Sequence, residues 1–194
     1  CSVMTKDGTI HARKFINFAG DKDRIYHTLN KIKKVQKNSG SQNTKKLWRY
    51  AKFHNDELAR KVASEIARTA LEYQCDVIVF EYLDTKGKKK GSKKQKLQMW
   101  KKNTIQKIVK QKAHKNGIRI SHICAWGTSK LAYDGSGCVL RGTEAGKRSY
   151  SICRFQNGKT YNCDLSASYN IGARYFIREI QQNQSVKNWS GIMA

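Results

Sequence analysis

The feature that most constrains the fold is the apolar run Val-Ile-Val-Phe at positions 77–80, which Glu81 follows directly. Three of its four residues are β-branched, and such a run is typical of one buried strand that is covered on both faces in a mostly parallel sheet. A carboxylate at the end of a buried strand is costly to desolvate unless a cation or a proton meets it. Because sites in open α/β sheets form at this end of the strands, Glu81 is a candidate functional residue, with a solvated strand end as the alternative.

The net positive charge of the chain indicates what kind of partner it binds. The 194 residues include 39 Lys and Arg against 14 Asp and Glu, which leaves a net charge of +25. This excess predicts a polyanionic partner, with nucleic acid favoured over an acidic membrane surface. No apolar run approaches the roughly 20 residues that a membrane span needs, and no signal peptide is visible. We therefore expect a cytoplasmic protein with reduced cysteines and no membrane partner.

The first part of the chain predicts a hairpin followed by two helices. Asp7-Gly8 separates two short extended runs, which is a strong hairpin signal. Helical spacing then predicts one helix that begins near Asp21 and a longer one from about Thr44 to Leu71. The apolar stripe predicted for the longer helix consists of Leu47, Ala51, Leu58, Val62, Ile66 and Ala70. The many cations of both helices favour contact with a polyanion, and a solvated face is the alternative.

The segment from Lys86 to Arg119 contains fourteen Lys and Arg and no acid. It begins as a Gly- and Lys-rich loop and then has helical periodicity to about Lys115, before a second strand at Ile118–Cys124. The order strand, helix, strand predicts a parallel pair. We expect the basic loop to contact the phosphate backbone, with Trp100 alternatively packed in the core. The predicted contact residues are Lys86, Lys88, Lys89, Lys90, Lys93, Lys94, Lys96, Trp100, Lys101 and Lys102.

The last third predicts a Gly-rich, short-stranded insert, a helix from Asp164 to about Gln181, and a frayed polar tail. An acid at the start of a helix is an ordinary N-cap, so this role stands beside that of a ligand for Asp164. Glu81 and Asp164 in so basic a chain are also compatible with phosphodiester hydrolysis by two divalent ions. Oxygen ligands select Mg²⁺ or Mn²⁺, and such sites usually need a third carboxylate.

These features resemble the C-terminal half of the TnpB transposon nucleases and of their relatives, the type V CRISPR effectors. Glu81 matches the second of the three nuclease motifs of that family, and Asp164-Leu165-Ser166-Ala167-Ser168-Tyr169-Asn170-Ile171 matches the third. The resemblance implies an RNase H-like (RuvC) α/β fold with a mixed sheet and flanking helices. It divides the chain into a nuclease core at 1–125 that lacks its first strand and holds a basic helical hairpin at about 21–72, a degenerate zinc-ribbon-like insert at 126–160, and the last motif, helix and tail at 161–194.

The resemblance implies an RNA-guided DNA endonuclease that cuts phosphodiesters with Mg²⁺ or Mn²⁺, with Glu81 and Asp164 as catalytic metal ligands. Its partners would be DNA, a guide RNA and the N-terminal domains of a longer prokaryotic parent chain. The chain has no initiator Met, and the Asp of the first motif is expected upstream of Cys1, so we expect an incomplete and inactive fragment. The alternatives are a cleavage-deficient RNA-guided DNA-binding protein and a basic, structural nucleic-acid-binding module.

The cysteines depart from the pattern of that family. The family has two Cys-x-x-Cys pairs in its zinc ribbon, whereas no pair of the six cysteines here has that spacing. Cys138 and Cys153 are the remaining candidate ligands, and the sequence does not predict a bound zinc ion.

Overall fold

The computed structural model describes residues 1–39, 44–82, 101–124, 126–146 and 149–190, and side chains as far as residue 183. The chain divides into two compact units. The first unit comprises Cys1–Lys14, Cys75–Thr85 and Arg119–Ala194, and the second comprises Phe15–Gln74 and Lys86–Ile118. Each unit has its own secondary structure, with the strands in the first and three helices in the second.

The first unit begins with an antiparallel hairpin, as the sequence predicts. Strands β1 (Ser2–Met4) and β2 (Ile10–Arg13) pair on either side of the turn. The carboxylate of Asp7 closes this turn, because it accepts hydrogen bonds from the hydroxyl of Thr5 and from the backbone N and Oγ1 of Thr9, at 3.2 and 2.9 Å. These hydrogen bonds, chiefly the one from Thr5, lower the pKa of Asp7 to about 2.

The second sheet of this unit is the predicted parallel pair. Strand β3 (Val77–Tyr82) pairs along its whole length with β4 (Arg119–Cys124). The apolar residues of β3 are half-buried, so the prediction of a strand covered on both faces is wrong. Among the described strands, β3 hydrogen-bonds with β4 alone, so it is not the central strand of a larger described sheet.

The insert is a three-stranded antiparallel sheet of short strands, in the order β5 (Leu140–Arg141), β6 (Ile152–Arg154), β7 (Thr160–Asn162). A 3₁₀ turn at Gly142–Ala145 follows β5. Small and aromatic side chains make up its core. This core comprises Ala132, Cys153, Phe155 and Cys163, with Tyr133, Val139 and Tyr161 packed against it.

A long helix joins the three sheets of the first unit. It contacts β1, β3, β4 and β7, and we label it α4 (Cys163–Ser190). The described strands form three separate sheets on this helix. The resemblance implies one mixed sheet beside the insert, and among the described strands none links β1–β2 to β3–β4. The helix also continues past its predicted end near Gln181, so the prediction of fraying from residue 182 is wrong as far as Ser190, and residues 191–194 lie outside the described residues.

The second unit contains the three predicted helices, α1 (Ala19–Ser39), α2 (Lys45–Glu72) and α3 (Lys102–Lys115). Helix α2 contacts both of the others. Its buried face is a ladder of small residues, and the predicted stripe of larger apolar residues is partly wrong. The ladder comprises Ala51, Asn55, Ala59, Ala63 and Ala67, whereas Leu47, Leu58, Val62 and Ile66 are only half-buried. Small side chains let neighbouring helices approach closely, so the burial of this face follows backbone proximity rather than hydrophobicity.

Each helix that the described residues form falls short of the length or the hydropathy that crossing a bilayer demands.

The alanine ladder yields a first prediction. Ala63 is fully buried, so Ala63→Leu forces extra methyl groups into a filled space and should lower the free energy of unfolding by roughly 1–3 kcal/mol. Thermal unfolding followed by circular dichroism measures this loss. Lys52→Leu places the same side chain on an exposed position of the same helix and should change stability by less than about 0.5 kcal/mol. Equal losses in the two variants would contradict close packing at the ladder.

Candidate functional site

Glu81 lies near the carboxyl end of β3, opposite Ile123 of β4. Its side chain is half-buried. Within the described part of the chain, the carboxylate of Glu81 has no hydrogen-bond or ion-pair partner. The group is therefore a partly desolvated anion that is available to a cation from outside these residues.

Helix α4 is capped by Asn162 and not by Asp164. The side-chain Oδ1 of Asn162 accepts hydrogen bonds from the backbone N atoms of Asp164 and Leu165, both at 3.0 Å. These bonds satisfy two of the N–H groups that lack partners at a helix start. The carboxylate of Asp164 is exposed and takes no part in capping, although the helix dipole favours a negative charge there. The interpretation of Asp164 as the N-cap is therefore wrong.

Two arginines of α4 hold the helix against β4. The Nη1 of Arg178 donates to the carbonyl O of His122 at 3.1 Å, and its Nη2 donates to Oγ of Ser121 at 2.7 Å. One turn earlier in the helix, Nη1 of Arg174 donates to the carbonyl O of Cys124 at 3.0 Å. Towards its own beginning, α4 thus contacts positions that lie further along β4.

Asn170 extends this row by one more helical turn. Its Nδ2 donates to the carbonyl oxygens of Thr128 and Leu131, at 2.9 and 2.8 Å, in the segment that follows β4. The first turn of α4 therefore lies towards the carboxyl end of β4. Because β3 runs parallel to β4, Asp164 lies towards the same end of the strand pair as Glu81.

The charge of Asp164 acts on the start of the chain. The α-amino group of Cys1 donates to the carbonyl O of Lys14 at 2.9 Å, and burial lowers its pKa, which the charge of Asp164 partly restores. A second contact fixes β1 on the same helix, where Oγ of Ser168 donates to Oγ of Ser2 at 3.0 Å. The start of β1 is therefore held on the helix whose first turn contains Asp164.

The two candidate zinc ligands lie in different surroundings. Cys138 is exposed, whereas Cys153 is buried in the core of the insert. Burial and a hydrogen bond with the thiol of Cys163 raise the pKa of Cys153 to about 11, so the thiolate that zinc requires is disfavoured in this arrangement. The described residues also contain no group of three or more His, Cys, Asp or Glu that could hold a metal ion. Glu81 and Asp164 therefore belong to no such group within the described residues.

Most of the predicted phosphate contacts lie outside the described residues, namely Lys86, Lys88, Lys89, Lys90, Lys93, Lys94, Lys96 and Trp100. Two of them are described. Lys102 is the first residue of α3, and Nζ of Lys101 forms an ion pair with Oδ1 of Asp56 at 2.6 Å. The contact of this segment with a phosphate backbone stays a prediction.

Sequence reasoning missed the residues that position Asp164. Asn162 immediately precedes the helix and has the side chain of a common N-cap, so this signal was available. Asn170, Arg174 and Arg178 recur every four residues, which indicates one face of a helix. Their partners are main-chain oxygens, which no pattern of residue types reveals.

Comparison with solved structures identifies the fold. Cas12f1, solved by cryo-EM in a complex with sgRNA and target DNA, matches with a TM-score of 0.62 and 18% identity, over 84% of this chain and 45% of that chain. Alicyclobacillus acidoterrestris C2c1, solved in complex with single-guide RNA, matches with a TM-score of 0.60 and 14% identity, over 84% of this chain and 21% of that chain. The chain therefore has a mixed α/β fold that resembles part of these effectors.

Sequence comparison adds one particular relative. The chain is 27% identical over 183 residues to the TnpB-like protein aq_aa05 of Aquifex aeolicus strain VF5, and the match covers 85% of this chain and 58% of the relative. No model of a protein family matches the chain. The resemblance to TnpB-like proteins and type V effectors is thus confirmed in sequence and in fold, and the chain spans a little over half the length of the relative.

The cap of α4 yields a second prediction. Asn162→Ala removes the acceptor for two backbone N–H groups and should lower the free energy of unfolding by about 1 kcal/mol. Asp164→Ala should have a smaller effect, because its carboxylate caps nothing. Chemical denaturation of both variants measures the difference, and Asn162→Asp should keep most of the stability since Asp also caps. A larger loss for Asp164→Ala would restore its interpretation as a structural cap.

Proposed function

We propose that this chain is the RuvC-like portion of an RNA-guided DNA endonuclease, with Glu81 and Asp164 as its catalytic carboxylates. The observation that carries the proposal is the arrangement at the start of α4. Asn162 caps the helix, and the carboxylate of Asp164 is exposed and takes no part in capping. The likeness to a TnpB-like protein and to Cas12f1 supports the same assignment. The parent chain would supply further domains, and DNA and a guide RNA would be its partners.

The donor set fits a hard divalent cation. Two carboxylates offer the oxygen ligands that Mg²⁺ and Mn²⁺ prefer, and neither forms an ion pair with a side chain in the described part of the chain. When bound, such ions would supply Lewis-acid stabilisation of the oxygens of the phosphodiester. The proposed third carboxylate precedes Cys1, and the charge of Asp164 acts on the α-amino group of Cys1, which is compatible with its joining these two.

The remaining residues would orient the site and hold the substrate. Asn162 fixes the first turn of α4, and the row Asn170, Arg174 and Arg178 fixes the direction of the helix relative to β4. The large positive charge would attract the DNA backbone without reading its sequence. If roughly 6–10 phosphates are neutralised, the affinity for DNA should fall about 10³–10⁵-fold between 50 and 200 mM salt.

A second candidate function is that of a cleavage-deficient, RNA-guided DNA-binding protein. The two candidates share their partners and differ only in the chemical step, so one experiment separates them.

The third prediction concerns catalysis in the full-length parent. Glu81→Ala and Asp164→Ala should each abolish cutting of a guide-matched DNA and leave DNA binding unchanged, because each removes a proposed ligand without touching a basic contact. Gel assays of cleavage and of binding measure the two properties separately. Asp23→Ala removes an exposed acid from α1 and should leave both unchanged.

Two outcomes would contradict the assignment. Loss of DNA binding in the same variants would make Glu81 and Asp164 structural residues. A titration of this chain with Mg²⁺, followed by NMR, should perturb the side-chain signals of both residues, and two unperturbed signals would rule out a shared cation. Uncut DNA with the unaltered parent would instead support the cleavage-deficient protein.

A further inference from the structure

One exposed face of α2 combines cations with aromatic rings. Lys46, Arg49, Tyr50 and Phe53 occupy positions i, i+3, i+4 and i+7, so they share one side of the helix. We call this set the α2 stripe. It lies away from the alanine ladder, and all four of its residues are exposed.

The two aromatic members of the α2 stripe are exposed to solvent. Phe53 is 57% exposed and Tyr50 is 47% exposed. The ring of His54 meets both of them edge-on, at centroid distances of 5.4 Å from Phe53 and 4.2 Å from Tyr50. These contacts hold the two rings in place beside each other, so an exposed apolar surface is kept in a defined arrangement.

The cations of the α2 stripe have no acidic partner among the described residues, whereas cations later in the helix do. Nζ of Lys61 pairs with Asp21 at 2.7 Å, and Nη2 of Arg68 pairs with Glu65 at 2.5 Å. The first acid of α2 is Asp56, which pairs with Lys101. These acids are thus engaged elsewhere, and among the described residues the beginning of α2 keeps a positive charge without an acidic partner.

This arrangement does not serve the stability of the helix. The first turn of α2 contains no acid. Positive side chains near a helix N-terminus oppose the helix dipole, and rings that are about half exposed gain only part of the stabilisation that full burial gives. A ligand that is both negatively charged and rich in flat apolar faces would compensate for both features.

We propose that the α2 stripe binds single-stranded nucleic acid, with Lys46 and Arg49 contacting phosphates and with Tyr50 and Phe53 stacking on bases. Interleaved cations and aromatic rings hold single strands in this way without reading their sequence. A duplex is a poorer ligand, because its bases are already stacked on one another. The inference rests on the proposed function for the class of partner and assigns to α2 a contact separate from the carboxylates.

The test uses this chain and fluorescein-labelled oligothymidylate and oligouridylate, with affinities measured by fluorescence anisotropy at several salt concentrations. Tyr50→Leu and Phe53→Leu keep an apolar side chain but lose the ring, and each should weaken binding by about ten-fold. Tyr26→Leu is the matched control, because Tyr26 is 62% exposed on α1 and lies outside the α2 stripe. It should bind like the unaltered chain.

A matched pair of variants tests the contribution of the cations in the α2 stripe. Arg49→Gln should reduce the slope of log affinity against log salt by roughly 0.7, the value for one phosphate contact with a single strand. Arg68→Gln makes the same change of charge on the same helix, but Arg68 is paired with Glu65, so the slope should change less. Circular dichroism verifies that each variant is folded.

Unchanged affinity for both oligonucleotides in Tyr50→Leu and Phe53→Leu would overturn the proposal. So would an equal loss in Tyr26→Leu, or an equal loss of affinity for a duplex. If the α2 stripe instead covers a segment of the parent chain, the ring variants would lower the Tm of the parent and leave oligonucleotide binding unchanged, which also overturns it. These readouts do not involve cutting, so failure here and failure of the carboxylate assignment are distinguishable.

Discussion

The attachment of α4 to main-chain groups is the interaction on which the first unit depends. One helix contacts three otherwise separate sheets, and its hydrogen bonds set where its first turn lies. Arg178 and Arg174 bond to oxygens along and at the end of β4, and Asn170 bonds to the segment after it. The exposed carboxylate of Asp164 follows from this placement and from the cap that Asn162 supplies. The geometry of the candidate site is thus a property of the helix rather than of any one acid.

Local signals predicted most elements of the fold. The turn chemistry of Asp7-Gly8 predicted the hairpin, and the spacing of Ile25 and Ile32 predicted α1. The order of strand, basic helix and strand predicted the parallel pairing of β3 with β4. Each of these depends on residues that are near one another in sequence, or on a general rule of chain connection, so one sequence suffices.

The errors arise where contacts between elements decide the outcome. A pattern of hydrophobicity favours Leu58 and Val62 as the buried face of α2, but the neighbouring helices approach so closely that alanines occupy it. Asp164 and Asn162 are both residues that cap helices, and only the path of the chain selects Asn162. The exposure of Tyr50 and Phe53 could not be predicted from periodicity either. A helical spacing of three or four residues is found in buried faces as well as in exposed ones.

The bonds that join α4 to the segment after β4 end on carbonyl oxygens, which every residue type presents alike. Substitution of the exposed side chains at positions 124 and 131 therefore leaves these acceptors in place. This attachment through main-chain oxygens places no requirement on the side chains of the insert. Its aromatic core around Phe155 can therefore change while the helix beside it keeps its direction.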